Sequence, residues 1–262
     1  MSGLRRRLPT LAPFITLGLL LLAWWLATRV FGAPAMLLPD PWLTLQGLAA
    51  GLRSGEIQGD ALATLSAAAV GYLIGALLAF SLAAAMAMCR PLERMLLVPL
   101  MAFQSIPKVA LAPLLYLWIG FGMQSSVALV ALACIYPIFV NSLNGLRAVD
   151  QNLVDLYRVS GAGELRILWS VRLPSAAPQV FVGLEVSVVF ALLAAVVMEL
   201  VAGERGLGVR IQAASATLDM ATVFGAVAML ADIGITASAA LRWLRRKLLF
   251  WQRDPAAVQA TA

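Results

Sequence analysis

The sequence predicts an all-α integral membrane protein with six transmembrane helices, and three observations carry that expectation. Of the 262 residues, 62% are hydrophobic and only 12% charged, against about 45–50% and about 25% in soluble domains. Mean hydropathy is +0.91. The apolar residues gather into six runs, near 11–30, 61–88, 95–119, 127–146, 177–201 and 221–243. Each is close to the roughly 20 residues a helix needs to cross a bilayer. Helix suits such runs because lipid offers no water to backbone N–H and C=O groups.

Composition narrows the chemistry. The chain has no histidine, the usual general base and the commonest metal ligand. Cys89 and Cys134 lie in apolar stretches and fall short of a four-ligand zinc site; with the ten methionines they read as apolar filler. The only lysines, Lys108 and Lys247, follow Pro107 and Arg246, so no glycine-rich phosphate loop ending in Gly-Lys-Ser/Thr exists. No catalytic residue, metal site or bound cofactor is expected, and no nucleic-acid partner.

The elements follow in order. The first run stands behind Arg5-Arg6-Arg7. A cleaved signal peptide is the rival reading, since Ala33-Pro34-Ala35 resembles a cleavage site. The intervening proline, and a run longer than the ~7–15 residues of a signal core, favour an uncleaved anchor. The polar stretch 32–60 holds Asp40, Arg53, Glu56 and Asp60, so residues 1–58 read as anchor plus external linker and 59–251 as the core. In the second run Ala67, Gly71, Gly75, Ala79, Ala83 and Ala87 recur every fourth residue. That smooth stripe lets another helix approach closely, within the chain or in a dimer. The third run contains Pro99, Pro107 and Pro113, a plain kink or a helix broken beside a transport path.

The longest loop, 147–174, lies between the fourth and fifth runs. Asp150 is placed to cap a helix whose Leu153, Leu156 and Tyr157 share one face. Gly161 and Gly163 break it. Glu164 starts a second short helix with Leu165, Leu168 and Trp169 on its apolar side, and Pro174 is expected to end it. Two such helices can simply lie on the membrane surface. After the sixth run, Trp243 to Trp251 mixes aromatics with cations, a headgroup-level anchor or a lipid-binding patch. Residues 252–262 are expected to be a flexible tail.

With the amino terminus inside, cytoplasmic segments hold fourteen Lys and Arg, and external ones only Arg29, Arg53, Arg205 and Arg210. This asymmetry predicts both termini in the cytoplasm. Charges within membrane runs default to functional hypotheses. Lys108, with Gln104 beside it, reads as the attractive centre of a path for a small anion, or as half of an ion pair with Glu185 or Asp232. Glu199 is a further path candidate near the outer end, or a cap, or a partner for Arg205.

The loop has a more specific spacing. It resembles the cytoplasmic motif of permease subunits of binding-protein-dependent ABC importers: Glu-Ala-Ala, three residues, Gly, nine residues, Ile-x-Leu-Pro. Asp155 stands at the glutamate, Gly161 at the glycine, Val171 at the isoleucine, with Leu173 and Pro174 as in the family. Leu156 and Tyr157 replace the alanines. Gln104-Ser-Ile-Pro-Lys-Val-Ala-Leu-Ala-Pro113, Leu117-Trp-Ile-Gly-Phe-Gly122, Tyr136-Pro-Ile-Phe-Val-Asn141, Asn144-Gly-Leu-Arg147, Glu199 and Gly206-Leu-Gly208 are similar to the nitrate/sulfonate/taurine-type branch.

The resemblance implies a MetI-like permease fold in a bacterial inner membrane, with two copies around a central path. It implies two ABC ATPase subunits, which carry the ATP and magnesium, and a periplasmic substrate-binding protein, besides membrane lipid. Asp155, Leu156, Tyr157, Gly161, Leu165, Val171, Leu173 and Pro174 are then the ATPase-docking residues. The expected cargo is a small anion such as a sulfonate, taurine or nitrate, or alternatively a pyrimidine vitamin precursor. An ion-gradient-coupled transporter would need Glu185 and Asp232 as its relay and leaves the loop motif unexplained. A membrane-embedded enzyme lacks any nucleophile–base pair.

Overall fold

Glycine decides where the helices meet. The computed structural model describes residues 2–251 apart from 31, 33 and 35, with side chains from residue 15 onward. The expected tail, 252–262, and the Arg5–Arg7 side chains lie outside the described residues. Three long helices form the centre: α3 (Glu56–Met88), α6 (Met123–Arg147) and α9 (Leu173–Ala202). A Cβ on Gly71 would stand 2.6 Å from the Val130 side chain, and one on Gly75 2.8 Å from the Ala131 carbonyl. On the other side of α6, Gly183 faces the Pro137 carbonyl and Gly145 the Ala176 carbonyl, each at 3.0 Å from such a Cβ. The small-residue stripe of α3 therefore packs within the chain, with Gly71, Gly75, Ala79 and Ala83 buried against α6. Phe139, Leu129, Ile138 and Met86 fill the core between these helices.

The remaining elements wrap this centre. They are α1 (Ser2–Arg29), α2 (Pro41–Ser54), α4 (Arg90–Gln104), a 3-10 turn (Lys108–Leu111), α5 (Ala112–Ile119), α7 (Gln151–Val159), α8 (Glu164–Ile167), α10 (Leu207–Ala216) and α11 (Met220–Leu248). Four described helical stretches are long and apolar enough to cross a membrane: Glu56–Met88, Met123–Arg147, Glu164–Ala202 and Met220–Leu248. Of the two readings of the third run, the broken helix is the one observed. Arg90–Gln104 and Lys108–Ile119 meet at 87°, forming a fifth span if the pair is counted as one. Pro107 has no N–H to continue the ladder, so the chain leaves helix there. The described apolar part of α1, Ile15–Arg29, is shorter than a full crossing. Four or five spans are thus counted among the described residues, and the first expected span, 11–30, falls partly outside those whose side chains are described.

Two helices lie in segments read as polar loops. Asp40 Oδ1 accepts the Trp42 N–H at 2.7 Å, Pro41 begins the helix, and α2 packs on α11 where Leu48 meets Gly225. The second, α10, follows Gly206 and packs on α11 and α9. Pro174 also behaves differently from expectation. It does not end the loop helix: α8 runs through one π turn, Leu168–Arg172, directly into α9. The wider turn shifts the hydrogen-bond register just before the proline, whose missing N–H then leaves the helix continuous.

Candidate functional site

The loop 147–174 is a folded unit with its own core. Asp150 Oδ1 accepts the Asn152 N–H at 2.9 Å and caps α7, as its position predicts. Gly161 takes φ +81°, the left-handed region where a side chain is strained. The turn closes as Ala162 N–H donates to the Tyr157 carbonyl at 3.0 Å. Val149, Val154, Ile167 and Val171 are buried together, with Tyr157 and Ala162 packed against them. Arg158 pairs with Glu164 at 2.8 Å and Asp155 at 3.4 Å, bracing the two short helices. The hydrogen bond and charge of Glu164 raise the Arg158 pKa above its ordinary value. Arg172 donates to the Ala87 carbonyl and so ties the loop to the end of α3. Arg147 pairs with Glu93, tying the end of α6 to α4.

This packing sorts the residues picked out from sequence. Leu156 and Leu165 project, 61% and 65% exposed, and Asp155, Gly161 and Pro174 are exposed beside them. Tyr157 and Leu173 are half-buried. Val171, read as a surface contact, is instead a core residue at 3% exposure. Two projecting side chains were missed as part of this face, Val159 at 88% exposed and Trp169 at 64%. Both lie within the span of the motif as apolar residues beside short amphipathic helices, which was the available signal.

The membrane charges resolve into separate sites. At the bend between α4 and the 3-10 turn, Lys108 Nζ lies 2.5 Å from Gln104 Oε1 and 3.4 Å from its carbonyl. Glu185 is held by Arg245 at 3.3 Å. Asp232 is exposed on α11. The alternative of a Lys108 ion pair with Glu185 or Asp232 is therefore not formed among the described residues.

Glu199 is 2% exposed and pairs with no arginine among the described residues. Its Oε2 accepts the Gly208 N–H at 2.7 Å and the Thr64 hydroxyl at 3.0 Å, while Thr64 Oγ1 accepts the Leu207 N–H at 2.9 Å. The expected contact with Arg205 is replaced by this clasp of α3, α9 and α10, because backbone donors at the start of α10 reach the buried carboxyl first. Beside it, Arg210 bonds Asp60 at 2.5 Å and Glu56 at 3.2 Å. Burial pulls the Arg210 pKa down, but these acidic hydrogen bonds outweigh it and leave it raised.

Residues 71–250 match the family described as binding-protein-dependent transport system inner membrane component. The chain belongs to that family. Among relatives, the riboflavin transport system permease protein RibX of Chloroflexus aurantiacus is 37% identical over 93% of this chain and 91% of its own length. The taurine transport system permease protein TauC of Escherichia coli is 31% identical over 91% and 89%. The formylaminopyrimidine transport permease protein ThiX of Halalkalibacterium halodurans is 29% identical over 95% and 99%. Inward-facing MetNI methionine ABC transporter structures share the fold: one aligns with TM-score 0.63 at 17% identity, over 79% of this chain and 96% of its own. This permease is thus a multi-pass inner-membrane subunit of an ABC importer with a MetI-like fold. Membership removes the ion-gradient transporter and the membrane enzyme as readings.

Proposed function

We propose that this permease carries a small organic solute from a periplasmic binding protein to the cytoplasm, driven by ATP bound with magnesium on two ATPase subunits. Two copies form the path. The loop carries the energy inward, and the observation behind this role is its shape: a braced, independently packed pair of helices presenting Leu156, Val159, Leu165 and Trp169 outward. Tyr157 and Val171 hold that shape, Gly161 makes its turn, and Leu173 and Pro174 pass it into α9. ATPase closure drives transport only if the docked loop binds the two states with different affinity. In this reading Asp155 and Leu156 lie at the docking edge.

Gln104, Lys108, Glu185 and Glu199 are the proposed path residues. Lys108 supports an anionic cargo, since its ammonium meets only Gln104 oxygens and no carboxylate among the described residues. A second reading, a heterocyclic vitamin or its precursor, is favoured by the 37% identity to a riboflavin permease and by the formylaminopyrimidine permease. The test of the main reading is Trp169→Asp combined with Leu165→Asp. Truncated interface anchors cost about 2 kcal/mol or more each, so the double variant should insert normally yet lose ATPase co-purification and solute uptake. Full uptake by a correctly inserted double variant would sink the proposal.

A further inference from the structure

A crevice of about 430 Å3 runs between α3, α9 and α11 and opens to one side. Its walls are almost wholly apolar and include Ala69, Tyr72, Val188, Leu192, Ala240 and Trp243. The Tyr72 hydroxyl is already engaged, donating to the Leu184 carbonyl at 3.0 Å. One end of the crevice meets charge. Glu185 stands one turn before Val188 on α9, Arg245 one turn after Leu241 on α11, and the two pair there. Lys247 Nζ sits 5.1 Å over the Trp243 ring, one turn beyond the crevice wall. Lys247 has no carboxylate partner among the described residues.

The level of this end follows from length. The 29 residues of α11 span about 43 Å, against roughly 30 Å of hydrocarbon. Its basic last turn therefore reaches the headgroup layer, where an apolar slot ends in cations. We infer that the crevice is a site for an anionic phospholipid, with an acyl chain against Ala69, Val188 and Ala240 and the phosphate at Lys247. Basic sites between transmembrane helices recognise such headgroups by charge. A helix from a second copy fits less well, because it would have to bring a carboxylate to this level. The membrane runs hold only Glu185, Glu199 and Asp232, and the first two are engaged with Arg245 and Gly208.

The site is tested on the full-length chain in micelles by native mass spectrometry, with dioleoyl phosphatidylglycerol and dioleoyl phosphatidylcholine titrated separately. The wild-type chain should retain the anionic lipid preferentially, by roughly fivefold for the Lys247 charge. Lys247→Gln should lower that preference about fivefold, whereas Arg53→Gln at the far end should leave it unchanged. Ala240→Trp should expel both lipids by filling the crevice; Ala69→Leu does so more gently and serves if the first variant fails to fold. Equal retention of the two lipids, or unchanged retention in a folded crevice-filling variant, would overturn the inference. Disulfide trapping of two copies through Ala240→Cys would likewise hand the crevice to a second chain.

Discussion

At Gly206 two requirements fall on one atom. Its φ of +133° is a conformation that side chains rarely adopt, and a Cβ there would collide with the Glu199 carboxyl. Gly206→Ala is therefore expected to lower stability by about 2 kcal/mol or more, through strain and loss of the clasp. Thermal unfolding in detergent checks this, with Glu199→Gln as the companion. The amide retains an acceptor for the Gly208 N–H, so Glu199→Gln should unfold closer to wild type than Glu199→Leu. If Gly206→Ala unfolds at the wild-type temperature, the clasp holds nothing. Sequence reading picked Glu199 out as a charge in the wrong solvent but gave it the wrong partner. Thr64 lies 135 positions away, and no local periodicity links them. Arg205, six residues on, was only the nearest cation in sequence.

Among elements, the two-helix loop was the most legible and the bent third span the least. Asp150 before an i, i+3, i+4 apolar face, followed by a glycine, specifies a capped helix and its turn using local rules alone. The break at Pro107 was visible only as an excess of prolines, which carries no angle; the two helices meet at 87°. Asp40-Pro41 was a readable helix start, overlooked because the surrounding stretch is polar. The loop permits a clean experiment. No atom lies within 4 Å of a Cβ built on Gly161, so a substitution there acts through the backbone and not by obstructing a neighbour. Left-handed geometry costs an ordinary residue about 1–2 kcal/mol and is tolerated better by asparagine. Gly161→Val should accordingly reduce uptake about tenfold or more, while Gly161→Asn stays near wild type. Uptake in intact cells separates them, and equal, full uptake by both would return the loop to a passive surface helix pair.

Across the whole molecule, the excess of cations on one side predicts a single orientation for every helix. Single cysteines introduced at Ser54, the end of α2, and at Ser160, the end of α7, should label from outside and from inside respectively. The reverse pattern would invert the molecule and remove the loop from the ATPase. The π turn before Pro174 gives this orientation a mechanical meaning. Because α8 and α9 are joined without a hinge, Glu164–Ala202 is one rod of 39 residues. Glu164 is braced to Arg158 in the loop, and Glu199, about 52 Å further along, is fastened to the opposite face through Thr64 and Gly208. On the proposed coupling role, a twist applied to the loop end of such a shaft would reach the Glu199 fastening as torque.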